Sequence, residues 1–150
     1  MKCTIWFDMD GTLVDLYGVE NWLPKLRSFD PSPYMEAKVM HNMSLLARYL
    51  NKLQQLGYHI GIISWLAKDA DANYNDAVTE AKLNWLKIHL PSVHFNNIHI
   101  TLYGITKNMY IQHSDDILFD DNEGIRNEWV GEAYEPHEIL SVLRELIERG

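Results

Sequence analysis

The sequence has little cysteine, little basic charge and no long apolar run. Its single cysteine, Cys3, excludes an intramolecular disulfide and any cluster of thiolate metal ligands, and reads as a buried strand residue. Lys and Arg number 13 against 21 Asp and Glu, a formal net charge of −8. That balance excludes non-specific binding to nucleic acid or to an anionic membrane surface, both of which need basic patches. It does not exclude a small anionic substrate, provided a metal ion supplies local positive charge. No stretch approaches the ~20 apolar residues of a membrane span. The start, MKCTIWFDMDG, turns acidic too soon for a secretory leader, so a cytoplasmic location is expected. The seven histidines show no metal-ligand spacing and read as surface or helix-end residues. No internal repeat or low-complexity linker divides the chain.

What is present fits one soluble domain over residues 1–150, with 47% hydrophobic and 23% charged residues. Strand-like and helix-like stretches alternate. Apolar β-type runs occupy 3–8, 58–64, 97–103 and 116–121, with a short one at 131–134. Between them, Met43, Leu46, Leu50 and Leu53 step by three and four, a helix ended by Gly57. A second helix is predicted over 75–90, with Val78, Ala81, Trp85 and Ile88 on one stripe and Pro91 stopping it. A third opens at Pro136 and turns Ile139, Leu140, Leu143, Leu146 and Ile147 inward. Alternation of this kind predicts an α/β fold: a parallel sheet with helices on both faces.

In such a sheet the reacting groups gather outside the carboxyl ends of the strands. Asp8 and Asp10 end the first strand, Ser64 the second, and Asp120 and Asp121 the fourth; Lys107 follows the third. Desolvated carboxylates cost several kcal/mol each unless a cation compensates them (roughly,). Converging carboxylates make a hard-oxygen site that suits Mg²⁺. The Gly11-Thr12 pair after Asp10 is expected to turn the backbone so that its amides point at an anion.

These residues resemble the haloacid dehalogenase-like hydrolases. DMDGTLV is similar to that family's first motif, hhhDxDGT; Ser64 after IGII, Lys107, and the acidic pair of ILFDDN resemble its second, third and fourth. The four occur in the family's order along the whole chain. The resemblance implies a Rossmann-like, doubly wound parallel sheet in three α/β/α layers, and a Mg²⁺-dependent phosphatase acting on a small phosphorylated substrate. Asp8 would be the nucleophile and form an aspartyl-phosphate, and Asp10 would be the general acid and base. Mg²⁺ would be held by Asp8, the Asp10 main-chain carbonyl and Asp121, braced by Asp120 and Thr12. Ser64, the Trp65 amide and Lys107 would hold the phosphoryl oxygens. An acid at position 10 further implies phosphate ester rather than carbon–halogen chemistry.

Blander readings stand beside these. The Asp120-Asp121-Asn122 run could be only a helix N-cap, and Ser64 could cap the next helix. Lys68 competes with Lys107 as phosphate ligand, and Trp65 could serve packing or substrate contact. The chain departs from larger family members in having no full cap domain. Instead, a stretch at about 15–43 is expected to form a small helical, cap-like insertion, carrying Tyr17, Trp22, Phe29 and Tyr34. About thirty residues is long for a tight loop, and such segments are commonly functional lids. Those aromatics could stack a nucleobase or merely anchor the insertion to the core. Motif order and insertion size are similar to the 5'(3')-deoxyribonucleotidase branch, which implies a nucleoside monophosphate substrate. The alternative is a non-catalytic module that binds metal and phosphate, or a partner protein, on the same fold.

Overall fold

A computed structural model of the chain describes residues 2–150. Five strands form one all-parallel sheet: β1 (Thr4–Phe7), β4 (His59–Trp65), β5 (Asn97–Thr101), β6 (Ile117–Phe119) and β7 (Glu132–Tyr134). Their spatial order is β5-β4-β1-β6-β7. The chain winds one way from β1 to β4 and β5, then returns to lay β6 and β7 on the other side of β1. The parallel sheet is what the alternation predicts, and its doubly wound order, which the family resemblance implies, places the switch in winding direction at β1.

The period of two in β1 decides the layers. Ile5 and Phe7 pack with Leu46, Leu50, Trp85 and Leu143, which come from α3 (Met43–Gln55), α4 (Ala72–His89) and α6 (Ile139–Arg149). Trp6 points to the opposite face with Ile63, Leu118 and Trp129. Gly61 sits beside Trp6 in the register, and any Cβ there would collide with the indole ring. The two helical layers are unequal. All three long helices lie on the Ile5 face, while the Trp6 face carries a single 3₁₀ turn (Lys107–Tyr110) and the six-residue α5 (Glu123–Glu128).

Local signals account for the long helices. Asn42 accepts from Leu45 N at 3.1 Å and caps α3, and Asp71 accepts from Tyr74 N at 2.7 Å and caps α4. Gly57, at φ +101°, ends the first of them in a conformation that other residues rarely adopt. The predicted stripe of α4 needs one correction. Ile88 is 69% exposed, and its place on the inward face is taken by Lys82 and Leu86. Pro136 opens a 3₁₀ turn (Pro136–Glu138) that leads into α6 rather than the helix itself.

The insertion is only partly helical. A two-stranded antiparallel ribbon, β2 (Val14–Asp15) with β3 (Lys38–Val39), brackets a 3₁₀ turn and two short helices, α1 (Trp22–Arg27) and α2 (Ser32–Glu36). Below the opposite face, Asp116 is fully buried and ties three segments together. Its carboxylate accepts from Thr4 N at 2.8 Å, Trp6 Nε1 at 3.1 Å and Gln112 N at 2.8 Å. Among the described residues, no helix is long and apolar enough to cross a membrane.

Candidate active site

The carboxyl ends of β4, β1 and β6 are neighbours in the sheet, so the residues that leave them meet. Asp8 follows β1, and Asp120 and Asp121 follow β6. One carboxylate oxygen from each of the three lies within 4.8 Å of the others. Lys107 reaches in from the 3₁₀ turn after β5, donating to Asp8 Oδ1 at 3.1 Å and to Asp120 Oδ2 at 2.6 Å. Thr12 Oγ1 donates to the other Asp8 oxygen at 3.1 Å. Asp8 is therefore held on both oxygens at the floor of an open pocket of about 280 Å³.

The blander readings separate here. Asn122, not either aspartate, caps α5, accepting from Ile125 N at 3.1 Å. Asp120 is 1% exposed, and both its oxygens are occupied, by Lys107 and by Asn122 N at 3.0 Å. Asp121 is exposed and stands at the pocket wall. Lys107 is buried against the carboxylates, whereas Lys68 is exposed at the rim, its ammonium 5.9 Å from the centre of the Tyr103 ring. Trp65 both packs and lines the pocket. Its indole donates to Ile105 O at 2.8 Å, and its ring lies 5.0 Å from that of Tyr103. Leu66 N bonds Thr101 O on the β5 side, so strand alternation turns the Trp65 N–H toward the place where β1 has already ended.

Two predicted placements differ. The Gly11 and Thr12 amides do not face the pocket; they donate to Val14 O at 2.8 Å and Met9 O at 3.1 Å inside a tight loop. Gly11 is needed for another reason. It takes φ +80°, and a Cβ there would run into the Asp121 carboxylate and the Tyr17 ring. Ser64 is fully buried one residue short of the strand end and is absent from the pocket lining. Its hydroxyl accepts from Lys82 Nζ at 2.7 Å. Sequence reasoning passed over Lys82. It rises from the middle of α4, 1% exposed, and also donates to Asp10 Oδ2 at 2.9 Å. Its signal was a lysine on the inward stripe, between Val78 and Trp85, where an apolar residue belongs.

Burial sets the electrostatics. It pushes the Asp10 carboxyl above the usual carboxylate range, against the pull of Lys82 and with help from the Asp8 charge. Burial would lower Lys107, but Asp8 and Asp120 outweigh it and hold the ammonium above its ordinary value. Asp121 is pushed up to about 8, first by desolvation and then by the Asp8 charge and hydrogen bond. If all four carboxylates ionised they would exceed the two ammonium groups by two charges, an excess that protons relieve in the raised Asp10 and Asp121 and that one divalent cation would match. Oxygen-only donors, one at the pocket wall and one at its floor, fit Mg²⁺.

A pH dependence follows. An unfolded aspartate titrates near about 4. The fold holds Asp121 neutral up to about 8. The stability this contributes is full below about 4 and is lost as pH climbs through that window. Added Mg²⁺ must displace the proton, so it is expected to raise the melting temperature more at pH 8 than at pH 5. Thermal melts with and without Mg²⁺ check this; equal shifts at both pH values would contradict the assignment.

No protein-family model matches the sequence, and no curated protein does so either. Several solved structures match, among them two phosphatases. One is D,D-heptose 1,7-bisphosphate phosphatase from Burkholderia Thailandensis, 16% identical, with 81% of this chain and 67% of that one covered and a TM-score of 0.45. The other is D,D-heptose 1,7-bisphosphate phosphatase from B. bronchiseptica, solved with magnesium and phosphate. It is 12% identical over 99% of this chain and all of that one, at a TM-score of 0.57. Across its whole length, the chain has the mostly parallel α/β fold of that phosphatase.

Proposed function

We propose that the chain is a Mg²⁺-dependent phosphatase of the haloacid dehalogenase-like type, hydrolysing a small phosphate monoester through an aspartyl-phosphate on Asp8. The observation that carries this reading is the pairing of two differently held aspartates at one pocket. Asp8 is fixed by Lys107 and Thr12 on the floor. Asp10 lines the same pocket with a raised pKa and with one buried oxygen, Oδ1, that has no partner. A carboxylate held as an acceptor by a lysine and a threonine, beside a carboxyl whose proton affinity burial raises, suits the division of labour that acid-assisted displacement needs. The fold shared with a phosphatase solved with magnesium and phosphate supports the same chemistry.

In the first step an Asp8 oxygen attacks phosphorus, the bond from phosphorus to the ester oxygen breaks, and Asp10 gives its proton to the departing alkoxide. In the second, Asp10 takes a proton from a water that attacks phosphorus, and phosphate leaves with Asp8 restored. Lys107 and the Trp65 N–H face the phosphoryl oxygens. Asp8, the Asp10 main-chain carbonyl and Asp121 are the proposed Mg²⁺ ligands, with Asp120 and Thr12 bracing them. When bound, the ion supplies positive charge that shields the attacking carboxylate from the phosphate.

The pocket mouth supports a nucleoside monophosphate as substrate. Tyr17 and Trp22, their rings 4.9 Å apart and edge-on, line the pocket together with Trp65 and Tyr103, and such aromatic surface suits stacking of a base. The insertion aromatics divide by burial. Phe29 packs on Tyr74 at 5.3 Å, and Tyr34 is 3% exposed among Leu16, Leu66 and Val78. Trp22→Ala is therefore expected to lower kcat/KM for the preferred monophosphate ~ten- to a hundredfold, with p-nitrophenyl phosphate and the melting temperature nearly unchanged. Tyr34→Ala should instead cost ~3–5 kcal/mol of stability and lose all substrates alike.

The deciding assay is p-nitrophenyl phosphate and a panel of phosphorylated metabolites, each with and without Mg²⁺. Mg²⁺-dependent turnover is expected. No turnover with any divalent metal would leave a metal- and phosphate-binding module in place of an enzyme.

A further inference from the structure

Lys82 is a fully buried cation at this site whose role the proposed chemistry leaves unassigned. A fully buried ammonium is costly, and an apolar residue on the inward stripe of α4 would serve packing better. All three of its donors are used, and all on one side. Ser64 Oγ at 2.7 Å and Trp65 O at 2.8 Å clamp the ammonium to the end of β4, and Asp10 Oδ2 at 2.9 Å takes the third bond. The Tyr34 ring covers it, 5.2 Å from ring centre to nitrogen, and closes it off from solvent. The consequence falls on Asp10. Oδ1 is buried without a partner, so among the described residues Lys82 is the only side chain that holds the Asp10 carboxyl.

Resting on the phosphatase reading, we propose that Lys82 is a positioning residue. Anchored by Ser64 and the Trp65 carbonyl, it fixes the orientation of the Asp10 carboxyl at the pocket in which the leaving group would sit. Ser64 then acts through Lys82, as part of the anchor, rather than by touching phosphate. This fits its absence from the pocket lining and its engaged hydroxyl.

The test compares p-nitrophenyl phosphate, whose phenolate departs without a proton, with phenyl phosphate, whose leaving group needs one. Lys82→Met is expected to lower kcat on phenyl phosphate on the order of ten- to a hundredfold, with kcat on p-nitrophenyl phosphate within a few-fold and KM unchanged on both. In an Asp10→Asn background the same substitution should add nothing. Ser64→Ala removes an anchor without leaving a buried charge unpaired, so it keeps the fold; it should repeat the pattern more weakly. Equal losses on both substrates, or a loss that persists beside Asp10→Asn, overturns the positioning role. So does a rise in KM alone for Ser64→Ala, which would return the serine to phosphate binding. Wild-type inactivity on both esters overturns the phosphatase reading itself, and is thereby distinct from a failure of Lys82 alone.

Discussion

Asp8→Asn is expected to lower Mg²⁺-dependent hydrolysis of p-nitrophenyl phosphate by several orders of magnitude while leaving the protein folded. The amide keeps the shape of the side chain and its acceptor for Thr12, but it cannot form the acyl-phosphate bond. Stability should not suffer. Lys107 keeps its 2.6 Å partner in Asp120, and Asp121 loses the neighbouring charge that helps to hold it neutral. Without metal the melting temperature should equal or slightly exceed that of the wild type. The shift on adding Mg²⁺ should shrink, because one of its carboxylates is gone. A steady-state rate close to that of the wild type would end the covalent mechanism.

Lys107→Met is expected to damage both stability and rate. The lysine is 4% exposed and is the cation common to Asp8 and Asp120. Removing one partner of a buried ion pair leaves uncompensated charge, at a cost of ~3–5 kcal/mol. Here Mg²⁺ offers a remedy that an ordinary core lacks. The metal-free variant should unfold at much lower denaturant concentration, and Mg²⁺ should restore part of the difference. The rate should remain lower by ~10²–10³ even when the fold is saturated with metal, if Lys107 donates to the phosphoryl oxygens as proposed. Denaturant melts and kinetics on the same samples separate the two effects. A variant as stable as the wild type without metal would show that Lys107 does not neutralise the carboxylates.

Much of this was legible along the chain because it depends on neighbours in sequence. Ile5, Trp6 and Phe7 make a short apolar run ended by Asp8, so β1 is readable as a strand buried on both faces. Gly57 ends a helix by its own backbone freedom, and the three- and four-residue steps of Met43, Leu46, Leu50 and Leu53 mark its inward face. The carboxylates of DMDGT and FDD sit directly beyond apolar strands, where a parallel sheet must put its ligands.

Partners distant in sequence decided the rest. Lys68 and Lys107 are equal as letters, and only the packing of the 3₁₀ turn beside β1 buries one of them between Asp8 and Asp120. Lys82 lies 72 positions from Asp10, and nothing local marks a lysine on a helix as an ion-pair partner. The same holds for Asp116, whose carboxylate gathers donors more than a hundred positions upstream. Tyr34 and Trp22 differ in burial although one short insertion carries both. Periodicity, caps and turns are set by local sterics and hydrogen bonding, so the sequence alone determined the elements, their order and the edge of the sheet where the carboxylates gather. Burial and ion pairing depend on which faces meet in space. The identity of the buried cations, the place of Ser64 behind the pocket and the lysine that holds Asp10 were therefore decided only by the tertiary structure.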